Sequence, residues 1–309
     1  MAYKIPDTPV PSATIYELAD YLEFLCLLNE EEYSIVNALR QIDYISDETD
    51  SDQEIEDDVL FDNLQSALSE IDRRRTACRG RYPFDTKQNG IVLCECEEKY
   101  ELIYKFLLLS TRLNMNDNKI AGGVDGTALF EQLSSLVAGE YFGERSHHKV
   151  FGTGVTGGFR EKVKDLIKDL GEGDDYNDPE CSTHDEKDGG VDVVVWKPFA
   201  DKYKGKLIGL GQCKTGTSWR NEVGRLNPEI FCSSYLKKQP ISKPVGMFFV
   251  AEIFRNNFET ISRNAGILFD RCRIMDFLPE QEKIPKDLLD KISLWVEGSM
   301  PNVRAAYSA

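Results

Sequence analysis

The stretch Asp188–Trp196, DGGVDVVVW, is followed after a short connection by Leu210–Gly216, LGQCKTG. Both sit in runs of apolar and β-branched residues that read as strands, Val191–Trp196 and Lys206–Lys214. Side chains alternate across a strand, so Gln212 and Lys214 share one face and Cys213 takes the other. In the preceding strand Asp192 shares its face with Val194 and Trp196, while Val191, Val193 and Val195 point oppositely. Nearly every other position is apolar, the pattern of strands covered on both sides. An aspartate in such a place is costly unless it is paired or binds a metal. Two readings follow. One is an Asp–Lys salt bridge joining two strands. The other is a site at one end of a sheet, where Asp192 and Gln212 supply hard oxygen ligands for Mg²⁺ or Mn²⁺ and Lys214 orients water and stabilises phosphate charge.

The segments around these strands predict a mixed α/β unit. Helices are expected over Thr127–Phe142, Arg160–Leu170, Pro228–Lys238, Asn257–Asn264 and Lys286–Glu297, and further strands over His147–Phe151, Val245–Ile253 and Ile267–Phe277. A polar loop, Gly171–Gly190, precedes the opening motif. Such an order describes a mixed central sheet flanked by helices. The first third reads as mainly helical, with helices over Ser12–Leu28 (Ser12 as N-cap), Glu31–Ile45, Val59–Thr76 and Glu97–Asn114, and one strand, Gly90–Cys96. The acidic run Ser46–Asp58 reads as a solvated loop. The cluster Arg73, Arg74, Arg75, Arg79 and Arg81 either meets phosphates or, the favoured reading, pairs with that run. Turn formers in Asn114–Gly126 set the boundary between an acidic helical domain, 1–120, and an α/β domain, 121–309.

The chain of 309 residues carries a formal net charge of −16. Its acidity is uneven, with 25 Asp and Glu against 12 Lys and Arg in residues 1–120, and 28 against 25 in the remainder. The net charge alone disfavours a nucleic-acid protein, but the half that holds the motif is nearly neutral. The eight cysteines form no CxxC pair, and the start lacks a basic segment leading into an apolar one. No apolar run is long enough to span a bilayer. These features lead to the expectation of a cytoplasmic protein with reduced thiols and no membrane association.

The combination DGG-V-D followed by QCK resembles the motif of the PD-(D/E)XK nuclease superfamily, in the Mrr-like restriction-endonuclease branch with a QxK second element. LFEQLSSLVAGEYFG (Leu129–Gly143) supplies Glu131 where those families carry a helix glutamate. On that helix Ser134, Ser135 and Ala138 form a small stripe beside Glu131, with room for a phosphate or a metal-bound water. The resemblance spans about residues 125–278; residues 144–187 exceed what the minimal fold needs, and residues 1–120 resemble nothing recognised. It implies a restriction-endonuclease-like fold and Mg²⁺-dependent (or Mn²⁺-dependent) hydrolysis of DNA phosphodiesters, in the setting of bacterial restriction or anti-phage defence. The implied metal ligands are Asp192, Glu131, Gln212 and the backbone carbonyl of Cys213, with Lys214 positioning the attacking water. The acidic N-terminal part then reads as a surface for a partner protein or a homo-oligomer. The rival readings are a non-catalytic nucleic-acid- or protein-binding subunit and an RNA or structure-specific nuclease.

TGTSWRNEVGRL (Thr215–Leu226) leaves the motif strand carrying Thr215, Ser218, Trp219 and Arg220 as candidate substrate contacts, with Trp219 equally readable as a packing residue. GTGVTGG (Gly152–Gly158) satisfies GxGxxG, but the polar loop after its helix argues against a dinucleotide site and for a glycine turn. Three histidines, His147, His148 and His184, give no zinc-site spacing.

Overall fold

A computed structural model of the chain describes residues 2–10, 12–29, 32–43, 53–152, 157–178 and 189–307. Residues 46–52 of the acidic run, the centre of the GTGVTGG motif, His184 and residues 179–188 of the polar loop lie outside the described residues.

The N-terminal half comprises α1 (Ile15–Asn29), β1 (Tyr33–Ser34), α2 (Ile35–Asp43), α3 (Gln53–Ala77), β2 (Phe84–Lys87), β3 (Gly90–Leu93), α4 (Glu98–Arg112), α5 (Met115–Asn118), β4 (Ile120–Ala121) and β5 (Val124–Asp125). It is mainly helical, with a small antiparallel sheet in the order β1-β3-β2. The cap of α1 is Thr14 rather than Ser12. Its hydroxyl accepts the Glu17 N–H at 3.3 Å while the Glu17 carboxylate accepts the Thr14 N–H at 3.1 Å. This reciprocal capping box starts the helix two residues later than the Ser12 reading.

The second half comprises α6 (Gly126–Phe142), β6 (His147–Val150), α7 (Phe159–Leu170), β7 (Val193–Lys197), β8 (Leu207–Lys214), α8 (Pro228–Tyr235), β9 (Val245–Val250), α9 (Phe258–Ala265), β10 (Ile267–Phe269), α10 (Arg271–Asp276) and α11 (Lys286–Tyr307). A five-stranded sheet runs in the order β10-β9-β8-β7-β6. The chain lays down β6, β7 and β8 as an antiparallel meander, then adds β9 and β10 parallel to β8. The expected strand Ile267–Phe277 is a strand only to Phe269. There Asp270 accepts the Arg273 N–H at 2.9 Å and opens α10, as an N-cap aspartate does. Helix α11 continues through Pro301 well past the expected Glu297.

Helices cover both faces of the sheet. On one face Val193, Val195, Phe249 and Phe269 join Leu22 and Phe24 of α1, Leu64 of α3, Phe106 of α4, Leu133 of α6 and Trp295 of α11 in one apolar core. That core runs across position 120, with α4 packed on α10 and α11, and α3 on α10. On the other face Val194, Trp196, Ile208 and Leu210 pack with α7 and α8 residues such as Val163 and Phe231, and Trp219, Phe248, Val250 and Leu268 form a third cluster. Among the described residues, no helix is long and apolar enough to cross a membrane.

The side chains of the acidic run lie outside the described residues, and the partners of the arginine cluster among the described residues are other carboxylates. Arg74 places Nη1 2.7 Å from both Asp20 and Glu23, Arg112 Nε lies 2.7 Å from Asp20, and Arg271 Nη1 lies 3.0 Å from Asp20. All five side chains are 0% exposed. Burial by itself raises the Asp20 carboxyl, but Arg271, Arg112 and Arg74 overcome it and hold the group far below the usual carboxylate range. Arg73 binds Glu70, Arg75 binds Asp85, Arg79 binds Asp276, and Arg81 donates to the carbonyls of Met275 and Asp276. A guanidinium at the end of α3 reaches carboxylates in the packed neighbours more readily than those one helix length upstream, because an α-helix separates its ends by 1.5 Å per residue.

Candidate functional site

The antiparallel register sets Val193 against Gly211, Val194 against Leu210 and Trp196 against Ile208. One further step brings Asp192 level with Gln212, and the backbone confirms the approach, since Asp192 N–H donates to the Gly211 carbonyl at 2.8 Å. The strand begins only at Val193 because Gly189 and Gly190, with φ of 59° and 78°, turn the chain away. Left-handed backbone at two successive positions is readily available only to glycine. Asp192 therefore stands at the mouth of the β7/β8 pair rather than inside a strand. There its Oδ2 accepts the backbone N–H of Cys213 at 2.7 Å.

Glu131 comes from α6, whose start is set by Asp125 accepting the Thr127 and Ala128 N–H groups at 2.9 and 3.3 Å. The Glu131 side chain is buried at 7% exposure and lies against Gly152, where an added Cβ would fall 2.6 Å from Oε2. Gly152 in turn donates its N–H to the Asp192 carbonyl at 3.1 Å, as Phe151 does at 2.7 Å. Asp192 and Glu131 thus converge on the same glycine. The thiol of Cys213 faces the core that contains α6. Burial pushes that thiol up, and the neighbouring Asp192 carboxylate adds to the effect.

Gln212 is 2% exposed, and its Oε1 has no hydrogen-bond partner among the described residues. Lys214, at the end of β8, is half-buried and lies 3.6 Å from Glu222 Oε2 rather than beside Asp192. The direct Asp–Lys bridge that the spacing also allowed is not formed. The structure therefore brings Asp192, Glu131 and Cys213 together, places Gln212 across the strand pair, and carries the Lys214 amine toward the loop that follows.

In that loop Thr215 is half-buried and Ser218 is exposed. Trp219 takes the packing role of the two that its position left open. Its ring is 1% exposed, and its indole N–H donates to Glu252 at 2.6 Å. Arg220 binds the same carboxylate at 2.9 Å and covers the Trp219 ring at 4.6 Å, with its side chain 46% exposed. The small stripe on α6 is largely closed, with Ser135 lining a cavity of about 190 Å³ beside His148 and Leu288. Ser134 and Ala138 are 0% exposed and Ser135 only 3%, so the stripe lets the helix lie close to the strands.

Several neighbours carry no sequence signal. Lys162 of α7 is buried and donates to the Gly152 carbonyl at 2.7 Å, bracing the glycine between the Glu131 carboxylate and the Asp192 main chain. Lys4 donates to the Thr111 carbonyl at 2.6 Å, while Gly216, two residues after Lys214, donates its N–H to the Ser110 carbonyl at 3.0 Å. The C-terminal end of α4 therefore holds the loop that leaves β8. Only Gly152, first residue of the GxGxxG run, stood out beforehand.

Among the described residues no three His, Cys, Asp or Glu side chains gather as a metal-binding group. The donor set at this site is of another composition: two carboxylates, an amide oxygen and main-chain carbonyls. Hard oxygens of this kind suit Mg²⁺ or Mn²⁺, and the Gln212 oxygen is buried with no hydrogen-bond partner among the described residues. Comparison with protein-family models, with curated proteins and with solved structures gives no match for the chain.

Proposed function

We propose that the chain is a metal-dependent endonuclease that hydrolyses the phosphodiester bonds of DNA. The observation that carries the reading is the meeting of Asp192 and Glu131 about Gly152, with the unpartnered Gln212 oxygen across the strand pair. Leaving a buried amide oxygen without a donor costs on the order of 1–3 kcal/mol, a cost expected where a ligand completes the site. The order of helix α6, antiparallel strands β6, β7 and β8 with α7 between the first two, helix α8 and parallel strand β9 makes a mixed sheet flanked by helices, which supports the resemblance carried by DGG-V-D and QCK.

In this reading Asp192, Glu131 and Gln212, with the Cys213 carbonyl, hold the ion. Bound Mg²⁺ or Mn²⁺ supplies Lewis-acid stabilisation of the charge that builds on phosphorus. The chain's own groups do the rest. The Cys213 N–H fixes the Asp192 carboxylate. Lys162 and Gly152 set the distance of the Asp192 main chain from Glu131. Lys214 moves from Glu222 to the attacking water when substrate phosphate enters, and Arg220 and Thr215 meet the backbone nearby. A role in restriction or anti-phage defence, with a partner subunit or a second copy engaging the acidic helical half, extends the same reading.

The test is incubation of the purified protein with supercoiled plasmid, linear duplex, single-stranded DNA and RNA, each with Mg²⁺, Mn²⁺ or EDTA. Metal-dependent DNA cleavage abolished by Asp192→Ala and by Lys214→Ala is expected. Cleavage that survives both substitutions, or none under any condition, overturns the assignment in favour of a binding subunit.

A further inference from the structure

Charge along this chain is not only uneven between halves. From Lys214 to Arg273 there are ten Lys and Arg against five Asp and Glu, in a protein whose net charge is −16. The structure draws four of these arginines into one strip that begins at the candidate site. Arg220 covers Trp219, whose ring centroid is 4.6 Å from that of Phe254; Phe254 is 5.5 Å from Phe258. Phe258 is flanked by two guanidiniums, Arg255 at 5.1 Å and Arg273 at 4.7 Å. Beyond it a groove of about 440 Å³, on the side of the edge strand β10, is lined by Phe258, Arg263 and Arg273 among others. The Ser262 hydroxyl in its lining is shut off from water and has no hydrogen-bond partner among the described residues.

We infer that this strip, Arg220–Arg255–Arg273–Arg263, is the track that holds the phosphate backbone of duplex DNA against the candidate site; the inference rests on the nuclease reading and gives it a docking surface. Each guanidinium lies over an aromatic face or beside the groove, and Arg220 and Arg273 each give one nitrogen to the fold, to Glu252 and to the Leu268 carbonyl, which orders them. Trp219 and Phe254 are 1% and 2% exposed and support the strip from beneath, while the part-buried Phe258 has the Arg255 and Arg273 guanidiniums over its ring, so the rings offer little free face to unpaired bases. Recognition through phosphates without base stacking suits a duplex rather than a single strand. The carboxylates of Glu252, Asp270 and Glu259 lie near the four guanidiniums, and the exposed Glu259 shares the groove lining with Arg263 and Arg273. Glu252 serves Trp219 and Arg220 together, and Asp270, 3.8 Å from Arg255, is fully buried.

The experiment is fluorescence anisotropy of the full chain with a short labelled DNA duplex in EDTA, where no cleavage occurs, over a series of salt concentrations. Duplex RNA and single-stranded DNA serve as parallel arms. Arg255→Gln/Arg263→Gln/Arg273→Gln is expected to weaken duplex DNA binding at least about tenfold and to flatten the salt dependence by about 0.9 in slope for each phosphate no longer neutralised. Because Arg255 and Arg273 also touch the fold, the exposed single variant Arg263→Glu is measured beside it, with lysine at all three positions as the charge-restoring variant. Lys283→Gln/Lys286→Gln/Lys291→Gln removes the same charge elsewhere and is expected to bind as the wild type does. Equal binding by the strip variants, an equal loss in the lysine control, or no duplex binding by the wild type overturns the surface; tighter binding of RNA overturns the DNA assignment. Duplex binding through the strip without any cleavage leaves the surface standing and removes the nuclease, whereas cleavage with strip-independent binding does the reverse.

Discussion

The Asp192 carboxylate accepts the backbone N–H of Cys213 at 2.7 Å, tying the first residue before β7 to the penultimate residue of β8. One carboxylate oxygen thus closes the end of the strand pair, and the group is held where Glu131 also arrives. Asp192→Asn retains an acceptor for that N–H. It is expected to keep the urea midpoint near the wild-type value while cutting metal-dependent cleavage by roughly 100-fold or more. Asp192→Ala loses the acceptor too and is expected to cost about 1–2 kcal/mol in addition. Equal stability and equal activity of the two variants would remove both roles.

Gly152 is the spacer between the Glu131 carboxylate and the main chain of Asp192. In Gly152→Ala the new methyl would fall 2.6 Å from Glu131 Oε2 and 2.9 Å from its carboxyl carbon. Displacement of Glu131 is expected, with a stability loss of about 1–3 kcal/mol from overpacking and a fall in activity. Shortening the acid in the same protein, Gly152→Ala/Glu131→Asp, is expected to recover the urea midpoint in part. A double variant no better than the single one counts against contact with Glu131 as the cause.

The buried charges Asp20, Glu23, Arg74, Arg112 and Arg271 join the N-terminal helices to α10. Removing one partner strands the others without water. Arg271→Met is therefore expected to destabilise by about 3–5 kcal/mol in urea unfolding, as is typical for a broken buried pair. Loss of less than about 1 kcal/mol would mean that the cluster contributes little.

Acid should undo these contacts. Burial raises the Glu70 and Glu17 carboxyls, but the Arg73 and Arg74 contacts of Glu70 and the Tyr3 and Thr14 N–H groups on Glu17 lower them below their ordinary 4.5. Asp20 is lowered further still. For groups whose folded value is depressed, the unfolded state binds more protons, so their stabilisation is complete above the unfolded value and is lost as pH falls through the folded one. Stability is expected to be level in this respect above pH 4.5 and to decline below it, with Asp20 giving way last. Urea midpoints from pH 6 to about pH 2.5, compared between wild type and Glu70→Gln, follow the lost contribution.

Lys4 gives the opposite signature. Burial, with Arg112 nearby, pushes its amine down from 10.5 to about 8, against the pull of Glu252 and Asp20. The unfolded chain holds that proton up to 10.5, so between about 8 and 10.5 the Lys4 contribution to stability grows with pH. The wild type is expected to gain on Lys4→Met across this window and to show a constant difference below it. Guanidinium or urea midpoints of the two proteins at pH 7, about 9 and about 10 test the sign, since other groups cancel in the difference.

Local pattern determined a good deal of this protein. Alternation of apolar residues placed β7 and β8, the 3.6 period placed α1, α6 and α7 within a few residues, and the two glycines before Val191 marked the turn that frees Asp192. Those features depend on neighbours within one strand or one helical turn. Residue spacing also brought Asp192 level with Gln212, because antiparallel pairing follows from the meander itself.

Only tertiary structure decided the rest, because the deciding partners are far apart in the chain. Arg74 meets Asp20 across 54 residues and Arg271 meets it across 251, so no window on the sequence could show these buried partners. Trp219 became a packing residue through Glu252, thirty-three positions on, and Lys214 turned to Glu222 instead of Asp192. The end of β10 was settled by the Asp270 cap rather than by apolar content, since the apolar residues of α10 face a core that only the folded N-terminal helices complete. Burial fixes which charges must be paired, and burial is a property of the assembled layers.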